Sequence, residues 1–200
     1  MPHYFETPAG LRQDARTVEL DVGGRRLSLR TEAGVFSRGR LDPGTAVLLD
    51  LVPPPPARGD VLDLGSGYGP IALTMAALAP AATVWAVEVN ERARELCAAN
   101  AAAARLANVR ALAPGEVPED VRFTTIWSNP PIRVGKDALH TMLETWLDRL
   151  RPDGEAFLVV QRHLGADSLH RWLEERGRPT VRVGSRKGFR VLRCRARAAT

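Results

Sequence analysis

The spacing of apolar and polar residues changes near residue 60 and divides the chain into two parts. In the first part, apolar and polar positions alternate on both sides of Gly23-Gly24, as they do in the strands of a β-hairpin. The elements predicted there are a hairpin, a loop, a helix and a proline spacer, at residues 18–30, 34–40, 42–51 and 53–56. We therefore expect residues 1–56 to form a small N-terminal extension.

From residue 60 onward, short apolar runs typical of buried strands alternate with longer segments of helical periodicity. The predicted strands cover residues 61–64, 83–87, 109–112, 123–127 and 156–160. The predicted helices cover residues 71–78, 91–104, 137–150 and 168–176. Two further runs, 180–183 and 189–195, predict a closing antiparallel pair. The pattern predicts a doubly wound α/β fold over residues 57–200, with a mostly parallel seven-stranded sheet and one folding unit that includes the extension.

Composition and charge indicate a globular protein with a basic C-terminal segment. The 200 residues are 44% hydrophobic and 26% charged, with a formal net charge of +5. Residues 61–175 hold eleven basic and fifteen acidic side chains, whereas residues 176–200 hold nine basic side chains and no acidic one. Because the positive charge is clustered, it favours a polyanionic partner more than an even excess would.

The cysteines and the N-terminus indicate the cellular compartment in which the protein is expected. Cys97 and Cys194 match no metal or redox spacing, so we expect buried or half-buried thiols in a reducing compartment and no metal site. The first residues lack the pattern of an export signal. Pro80 interrupts the uncharged run at residues 70–87, which favours a buried helix and strand over a membrane span. A cytoplasmic protein with no membrane partner is predicted.

A glycine-rich turn connects the first strand of the main part to the helix after it, with glycine at positions 65, 67 and 69. Glycine permits a tight turn and close approach of a ligand, and the helix N-terminus that follows offers unpaired N–H groups. A dinucleotide-binding fold would have glycine where this chain has Pro70. The turn therefore favours a ligand without a pyrophosphate.

Two acidic residues accompany this turn. Glu88 ends the next strand, where a carboxylate can accept both hydroxyls of a ribose. Asp63 lies among apolar residues inside the first strand, and a buried acid needs partners. We expect Asp63 either to hold the turn in place or to contact a ligand amine.

The segment Ser128-Asn129-Pro130-Pro131-Ile132 ends the strand predicted at residues 123–127. The two prolines stiffen the loop, so the Asn129 side chain is held outward near the edge where an open parallel sheet binds ligands. The Asn129 oxygen and the Pro130 carbonyl could accept both N–H groups of an exocyclic amine and aim its lone pair at an electrophilic methyl group. A purely structural loop is the alternative.

Together these residues resemble the class I S-adenosylmethionine-dependent methyltransferases. Within that class they are similar to the small-domain group related to bacterial small-subunit ribosomal RNA guanine-N2 methyltransferases. The resemblance covers nearly the whole chain. The segments that carry it are residues 3–5, 34–37, 61–70, 129–133, 135–136 and 187–192.

The resemblance implies a Rossmann-like fold and a role for each matching residue. The residues it places at S-adenosylmethionine are Asp63, Gly65, Ser66, Gly67, Gly69 and Glu88, with Glu88 at the ribose. Those it places at the target amine are Asn129, Pro130, Pro131 and Ile132. It sets Phe36 and Ser37 near the cofactor or target pocket. Ile132 stands where methyltransferases of adenine or glutamine commonly have an aromatic residue, which fits the guanine-type group, and no residue is assigned to the cofactor adenine.

Ribosomal RNA or the small ribosomal subunit is the partner that the resemblance implies. The basic residues expected to contact RNA are Arg133, Lys136, Arg186, Lys187, Arg193 and Arg195. A solvated strand face is the alternative for the terminal arginines. The better-known ribosomal members carry a duplicated N-terminal domain not found in these 200 residues, and a second copy of the chain could replace it, so a homodimer is one expectation.

The sequence thus predicts methyl transfer to an exocyclic amine, with guanine N2 in small-subunit ribosomal RNA as the leading acceptor. A protein glutamine amide or a small-molecule amine is an alternative acceptor. A catalytically inactive RNA-binding assembly factor is an alternative of another class, although a binding protein would not need the Asn129 loop.

Overall fold

A computed structural model describes residues 16–32, 39–132 and 135–197 of the chain. Its strands are β1 (Arg16–Val22), β2 (Arg25–Thr31), β3 (Arg58–Leu64), β4 (Ala81–Val87), β5 (Val109–Leu112), β6 (Phe123–Ser128), β7 (Leu150–Gln161), β8 (Thr180–Arg186) and β9 (Phe189–Arg195). Its α-helices are α1 (Pro43–Leu51), α2 (Pro70–Leu78), α3 (Glu91–Ala103), α4 (Lys136–Leu147) and α5 (Ala166–Glu175). Short 3-10 helices cover Pro114–Glu116 and Arg162–Leu164.

The main sheet has seven strands in the order β5-β4-β3-β6-β7-β9-β8. The strands from β5 to β7 are parallel, and β9 runs antiparallel between β7 and β8. This arrangement confirms the predicted mostly parallel sheet and its closing antiparallel pair. The chain moves outward from β3 to β5 and then returns to β6, so the strand order reverses between β3 and β6. Ligands of open α/β sheets bind at such a reversal, beyond the carboxyl ends of the strands.

Helices cover both faces of this sheet, as a doubly wound fold requires. The side chains of successive strand residues point to opposite faces of the sheet. Val61 of β3 therefore lies in a first cluster of core residues, and its neighbour Leu62 lies in a second cluster. The first cluster contains buried residues of the hairpin and of α1, α2 and α3, and the second contains those of α4 and α5. None of the helices in the described ranges is long and apolar enough to cross a membrane.

The N-terminal hairpin packs directly on the main part of the chain. Gly23 and Gly24 connect β1 to β2 with φ of +55° and +78°, which is the geometry of a two-residue hairpin turn. The inward residues of both strands join the first core cluster. In addition, the Asn100 side chain of α3 pairs with the backbone of Arg30, accepting from its N–H at 2.8 Å and donating to its carbonyl at 2.9 Å. The expectation of one folding unit stays a prediction.

Two boundaries differ from the predicted ones for local reasons. β7 begins at Leu150, inside the predicted helix, because Pro152 and Gly154 lie in an irregular stretch of the strand and do not end it. Gly154 permits this irregularity, since a Cβ there would lie 2.9 Å from the Phe123 carbonyl oxygen. The connection between β8 and β9 is only Lys187-Gly188, with φ of +50° and +79°, where a longer loop was expected.

Both cysteines are buried free thiols, as predicted. Burial raises the pKa of Cys97 to about 12 and that of Cys194 to about 12. At neutral pH both side chains therefore stay protonated and act as small apolar groups of the core.

Candidate active site

Three loops meet at the carboxyl edge of the central strands. β4, β3 and β6 are neighbours and parallel, so the residues that follow them lie side by side. The glycine turn follows β3, Glu88 follows β4, and Asn129 follows β6. The structure thus brings the predicted cofactor and target residues together at the point where the strand order reverses.

The glycine turn is held against the end of β4 by its own backbone. The N–H groups of Gly65 and Ser66 donate to the Val87 carbonyl at 2.8 and 3.1 Å. Gly65 and Gly67 have φ of +77° and +54°, and a Cβ at either would meet no atom of the described residues within 4 Å. The backbone of the turn therefore borders open space, which a ligand can approach closely.

Gly69 has a different role, since it makes a tight internal contact. A Cβ at this position would lie 2.7 Å from both Cys97 Sγ and Leu73 Cδ1, and its φ is +98°. Gly69 caps the N-terminus of α2 directly before Pro70. Its small size lets α2 and α3 approach each other beneath the turn.

We expect Gly69→Ala to lower the free energy of unfolding by roughly 2–4 kcal/mol, from left-handed strain plus overpacking. The matched variant Gly67→Ala carries the strain without the clash, so its expected loss is about 1–2 kcal/mol. Urea denaturation of the two variants measures the difference. Equal losses would show that the contact with Cys97 and Leu73 relaxes freely.

Glu88 is oriented by both neighbouring loops. Its Oε2 accepts from the Gly67 N–H at 3.0 Å, and its Oε1 accepts from the Asn90 N–H at 2.9 Å. The Arg94 guanidinium donates to the carbonyls of Glu88 and Val89 at 3.0 and 2.8 Å, which holds the backbone at the end of β4. Each carboxylate oxygen keeps a further lone pair, so Glu88 can still accept from two hydroxyl groups.

Asp63 is completely buried beneath the turn and ties β3 to α2. Its Oδ2 accepts from the Ala72 N–H at 2.8 Å, while its Oδ1 has no hydrogen-bond partner within the described ranges. Burial raises the pKa of Asp63 from 3.8 to about 8; the Ala72 hydrogen bond opposes this rise and the charge of Glu88 adds to it. Ser66 is also buried. Asp63 therefore joins β3 to the first turn of α2, and its two predicted roles, in holding the glycine turn and in contacting a ligand amine, stay predictions.

Val89 was missed by the sequence analysis. Its side chain is 78% exposed, although it lies directly after Glu88 at the carboxyl edge. The neighbouring 3-10 helix Pro114–Glu116 follows β5, and the Glu88 N–H donates to the Leu112 carbonyl at 3.1 Å. An exposed valine beside Glu88 offers an apolar surface to a flat ring. Its signal in the sequence was an apolar residue between Glu88 and Asn90.

The Asn129 side chain is anchored to the N-terminus of α1. Its Nδ2 donates to Asp42 Oδ1 at 2.7 Å and to Thr45 Oγ1 at 3.1 Å. A carboxylate can only accept, so the amide cannot turn its oxygen toward Asp42, and Oδ1 faces away from α1. Within the described ranges, both hydrogen bonds of this side chain are made by Nδ2. Among the described residues the oxygen has no hydrogen-bond partner, so its orientation away from α1 suits an acceptor for a ligand.

The rest of the loop is rigidly supported. Ser128 Oγ donates to the Leu64 carbonyl at 2.7 Å and ties the end of β6 to the end of β3. Pro130 is buried, Pro131 is exposed, and Ile132 is half-buried against the second core cluster. The loop is thus anchored at Ser128 and packed at Pro130 and Ile132, and the stiffness expected from its two prolines stays a prediction.

The structure divides the basic residues predicted to contact RNA between two edges of the sheet. Lys136 begins α4 after the Asn129 loop, and Arg186 and Lys187 lie at the carboxyl edge because β8 runs parallel to β7. Because β9 runs in the opposite direction, Arg193 and Arg195 lie toward the other edge. Arg193 forms an ion pair with Glu155 at 3.8 Å, and Arg186 pairs with Asp50.

Three predicted site residues, Phe36, Ser37 and Arg133, lie outside the described residues, as do residues 3–5 of the resemblance. In the part of the chain that the structure describes, no group of three or more His, Cys, Asp or Glu could hold a metal ion.

Comparison with known proteins decides the family. The sequence profile of the family described as "Methyltransferase small domain" matches residues 26–193. The chain belongs to this family of methyltransferases. The resemblance inferred from the glycine turn and the Asn129 loop is thereby confirmed, and so is the predicted class of enzyme.

Two relatives and one solved structure show how far the similarity of this methyltransferase extends. It is 31% identical over 196 residues to uncharacterized protein YbxB of Bacillus subtilis, covering 96% of this chain and 98% of YbxB. It is 29% identical over 170 residues to ribosomal RNA small subunit methyltransferase C of Vibrio cholerae, covering 81% of this chain and 49% of that protein.

The solved structure is that of the T. thermophilus 16S rRNA N2 G1207 methyltransferase (RsmC) in complex with AdoMet and guanosine. It matches with a TM-score of 0.80 and 29% identity, over 92% of this chain and 51% of that chain. The class I methyltransferase fold is therefore confirmed. The chain spans nearly all of YbxB and about half the length of the two ribosomal RNA methyltransferases.

Proposed function

We propose that this methyltransferase moves a methyl group from S-adenosylmethionine to the exocyclic amine, N2, of a guanine in small-subunit ribosomal RNA. The observation that carries the proposal is the Asn129 amide, whose Nδ2 is held by Asp42 and Thr45 so that its oxygen remains an acceptor. Such a site recognises a group that donates hydrogen bonds, as an amine does. The similarity to RsmC, a 16S rRNA N2 G1207 methyltransferase, supports guanine as the base.

The methyl donor is S-adenosylmethionine, as the sequence predicted, since the chain belongs to a methyltransferase family and RsmC is seen with AdoMet. The residues of the turn fit this molecule, because the Cβ positions of Gly65 and Gly67 open onto free space beside Glu88. Glu88 would hold the ribose hydroxyls, and the exposed Val89 would cover a face of the adenine. When bound, S-adenosylmethionine supplies a methyl group on a positively charged sulfur.

The loop residues would prepare the acceptor for this methyl group. An exocyclic amine on guanine is a weak nucleophile because its lone pair is delocalised into the ring. Hydrogen bonds from its two N–H groups to Asn129 Oδ1 and the Pro130 carbonyl would favour a tetrahedral nitrogen and direct the lone pair outward. Orientation of this kind lowers the barrier without a charged base, and the proton released from the methylated amine can pass to water.

The target guanine must leave its stack to enter the site, because chemistry on a base inside a duplex is sterically blocked. Ile132 lies beside the proposed amine site and is half-buried on the second core cluster. An aliphatic surface can pack on a purine without requiring an aromatic partner.

Labelled methyl transfer tests the proposal. Purified protein and labelled S-adenosylmethionine are incubated with small ribosomal subunits, extracted small-subunit RNA and a protein extract, using Asn129→Ala as the control. We expect label in the RNA, recovered as N2-methylguanosine after digestion, and at least about 100-fold slower labelling with the variant. Label recovered in protein instead would favour a glutamine amide as the acceptor, and transfer to no acceptor with intact cofactor binding would favour an RNA-binding assembly factor.

RNA contact should depend on the carboxyl edge more than on the terminal arginines. We expect Lys136→Gln with Lys187→Gln to weaken binding to small-subunit RNA and to reduce the slope of log K against log salt by about 1 per lost phosphate contact. The matched pair Arg193→Gln with Arg195→Gln lies toward the opposite edge and should leave the slope unchanged. Filter binding over a salt series measures the slope for both double variants. A larger change in the arginine variant than in the lysine variant would place the RNA at the other edge of the sheet.

The homodimer suggested by the sequence stays a prediction. Sedimentation of the protein alone and with small-subunit RNA would distinguish a dimer from a monomer that gains mass only on RNA.

A further inference from the structure

We propose that Asp42 is a positioning residue for methyl transfer, setting the direction and the acceptor strength of the Asn129 amide. The inference rests on the proposed function, because it assigns Asp42 a part in the same reaction. Asp42 lies 87 residues before Asn129, and the sequence suggested only that it begins a helix.

A single oxygen of Asp42 makes two contacts. Oδ1 accepts from the Thr45 N–H at 2.9 Å, which caps α1, and from Asn129 Nδ2 at 2.7 Å. The cap fixes the position of the Asp42 carboxylate, because the Thr45 N–H that holds it belongs to the backbone of α1. Thr45 is itself buried, and its hydroxyl contacts the same nitrogen at 3.1 Å. The Asn129 amide is therefore oriented by the N-terminus of α1 as well as by its own loop.

The same contact strengthens the acceptor. A hydrogen bond from an amide N–H to a carboxylate is charge-assisted, and it polarises the amide so that more negative charge lies on the oxygen. The Asp42 carboxylate thus both orients the Asn129 amide and polarises it.

Close packing at α1 keeps the carboxylate in place. A Cβ at Gly44 would lie 3.0 Å from both Asp42 Oδ1 and Phe189 Cε1, so α1 packs tightly where it approaches β9. Phe189 belongs to the C-terminal segment that carries the family resemblance. The N-terminal extension and the end of the sheet therefore meet at the residue that orients Asn129.

Two variants separate the cap from the positioning contact. Asp42→Ser keeps the helix cap, since serine is as good a capping residue as aspartate, but its hydroxyl is too short to hold Asn129 as well. Asp42→Asn keeps both contacts, because the Thr45 N–H holds its oxygen in place, and loses only the charge. Equal melting temperatures for the two variants would confirm that the cap is retained.

Activity and side-chain exchange are measured on the full chain. With small-subunit RNA as substrate, we expect Asp42→Ser to lower kcat by roughly 10- to 100-fold at unchanged KM, and Asp42→Asn by no more than about fivefold. In nitrogen-15 spectra, the Asn129 Nδ2 protons, assigned with Asn129→Ala, should exchange slowly in wild type and Asp42→Asn and rapidly in Asp42→Ser.

Each outcome bears on the inference. Wild-type kcat in Asp42→Ser, or slow exchange retained in that variant, would overturn it. Should the wild type transfer no methyl group to this RNA, the proposed function fails while the exchange rates still decide whether Asp42 orients the amide. Rapid exchange with reduced kcat in Asp42→Ser, and recovery of both in Asp42→Asn, would establish the positioning role.

Discussion

Replacing Asn129 by alanine is expected to lower kcat for methyl transfer by about 10²- to 10³-fold, the usual effect of removing one oriented hydrogen-bond partner of a transition state. Affinity for S-adenosylmethionine should stay within about twofold, because the hydrogen bonds of the Asn129 side chain within the described ranges go to the N-terminus of α1. Transfer of labelled methyl to small-subunit RNA gives kcat, and calorimetric titration gives the affinity.

Asn108 provides a matched control for this variant. It is also half-buried and uses its Nδ2, donating to the carbonyls of Ala79 and Ala82 at 3.1 and 3.0 Å. These contacts lie at the amino ends of β4 and β5, at the opposite edge of the sheet. Asn108→Ala should therefore destabilise the fold and leave kcat unchanged. A full kcat in Asn129→Ala, or equal losses in the two variants, would contradict the assigned role of Asn129.

The stability of the free protein is expected to fall as pH rises from about 4 to about 8, owing to Asp63. Burial raises its pKa from 3.8 to about 8 in the fold. Between these values the unfolded chain releases the proton while the folded chain keeps it, so the unfolded state is favoured as pH increases. At 1.36 kcal/mol per unit, this group alone can lower the free energy of unfolding by about 5 kcal/mol.

Asp63→Asn should abolish this part of the pH dependence, because the amide can accept from the Ala72 N–H without ionising. Urea denaturation at pH 5, 6, 7 and 8 measures the slope for wild type and variant. Asp153→Asn is the control, since the Asp153 side chain is 86% exposed and should leave the slope as it is. Parallel slopes for wild type and Asp63→Asn over this range would show that the buried carboxyl finds a charged partner.

The sequence by itself determined the architecture and the main chemistry of this protein. Strand and helix periods depend on neighbouring residues, so the five parallel strands, the closing pair and the first hairpin could be predicted. The glycine turn and the Asn129 loop were visible for the same reason, because turn geometry and proline stiffness are local properties. The glycine turn and the Asn129 loop could also be assigned to the same edge of the sheet, because parallel strands have their carboxyl ends at one edge.

Only the tertiary structure decided how these groups support one another and which basic residues accompany them. Asp42 reaches Asn129, and Gly67 donates to Glu88, because the strand order brings distant segments into contact. The direction of β9 separates Arg195 from Lys187, which follow each other closely in the chain. Spacing along the chain carries no information about strand order or about which atom of an amide faces a carboxylate, and these two properties orient the acceptor in this site.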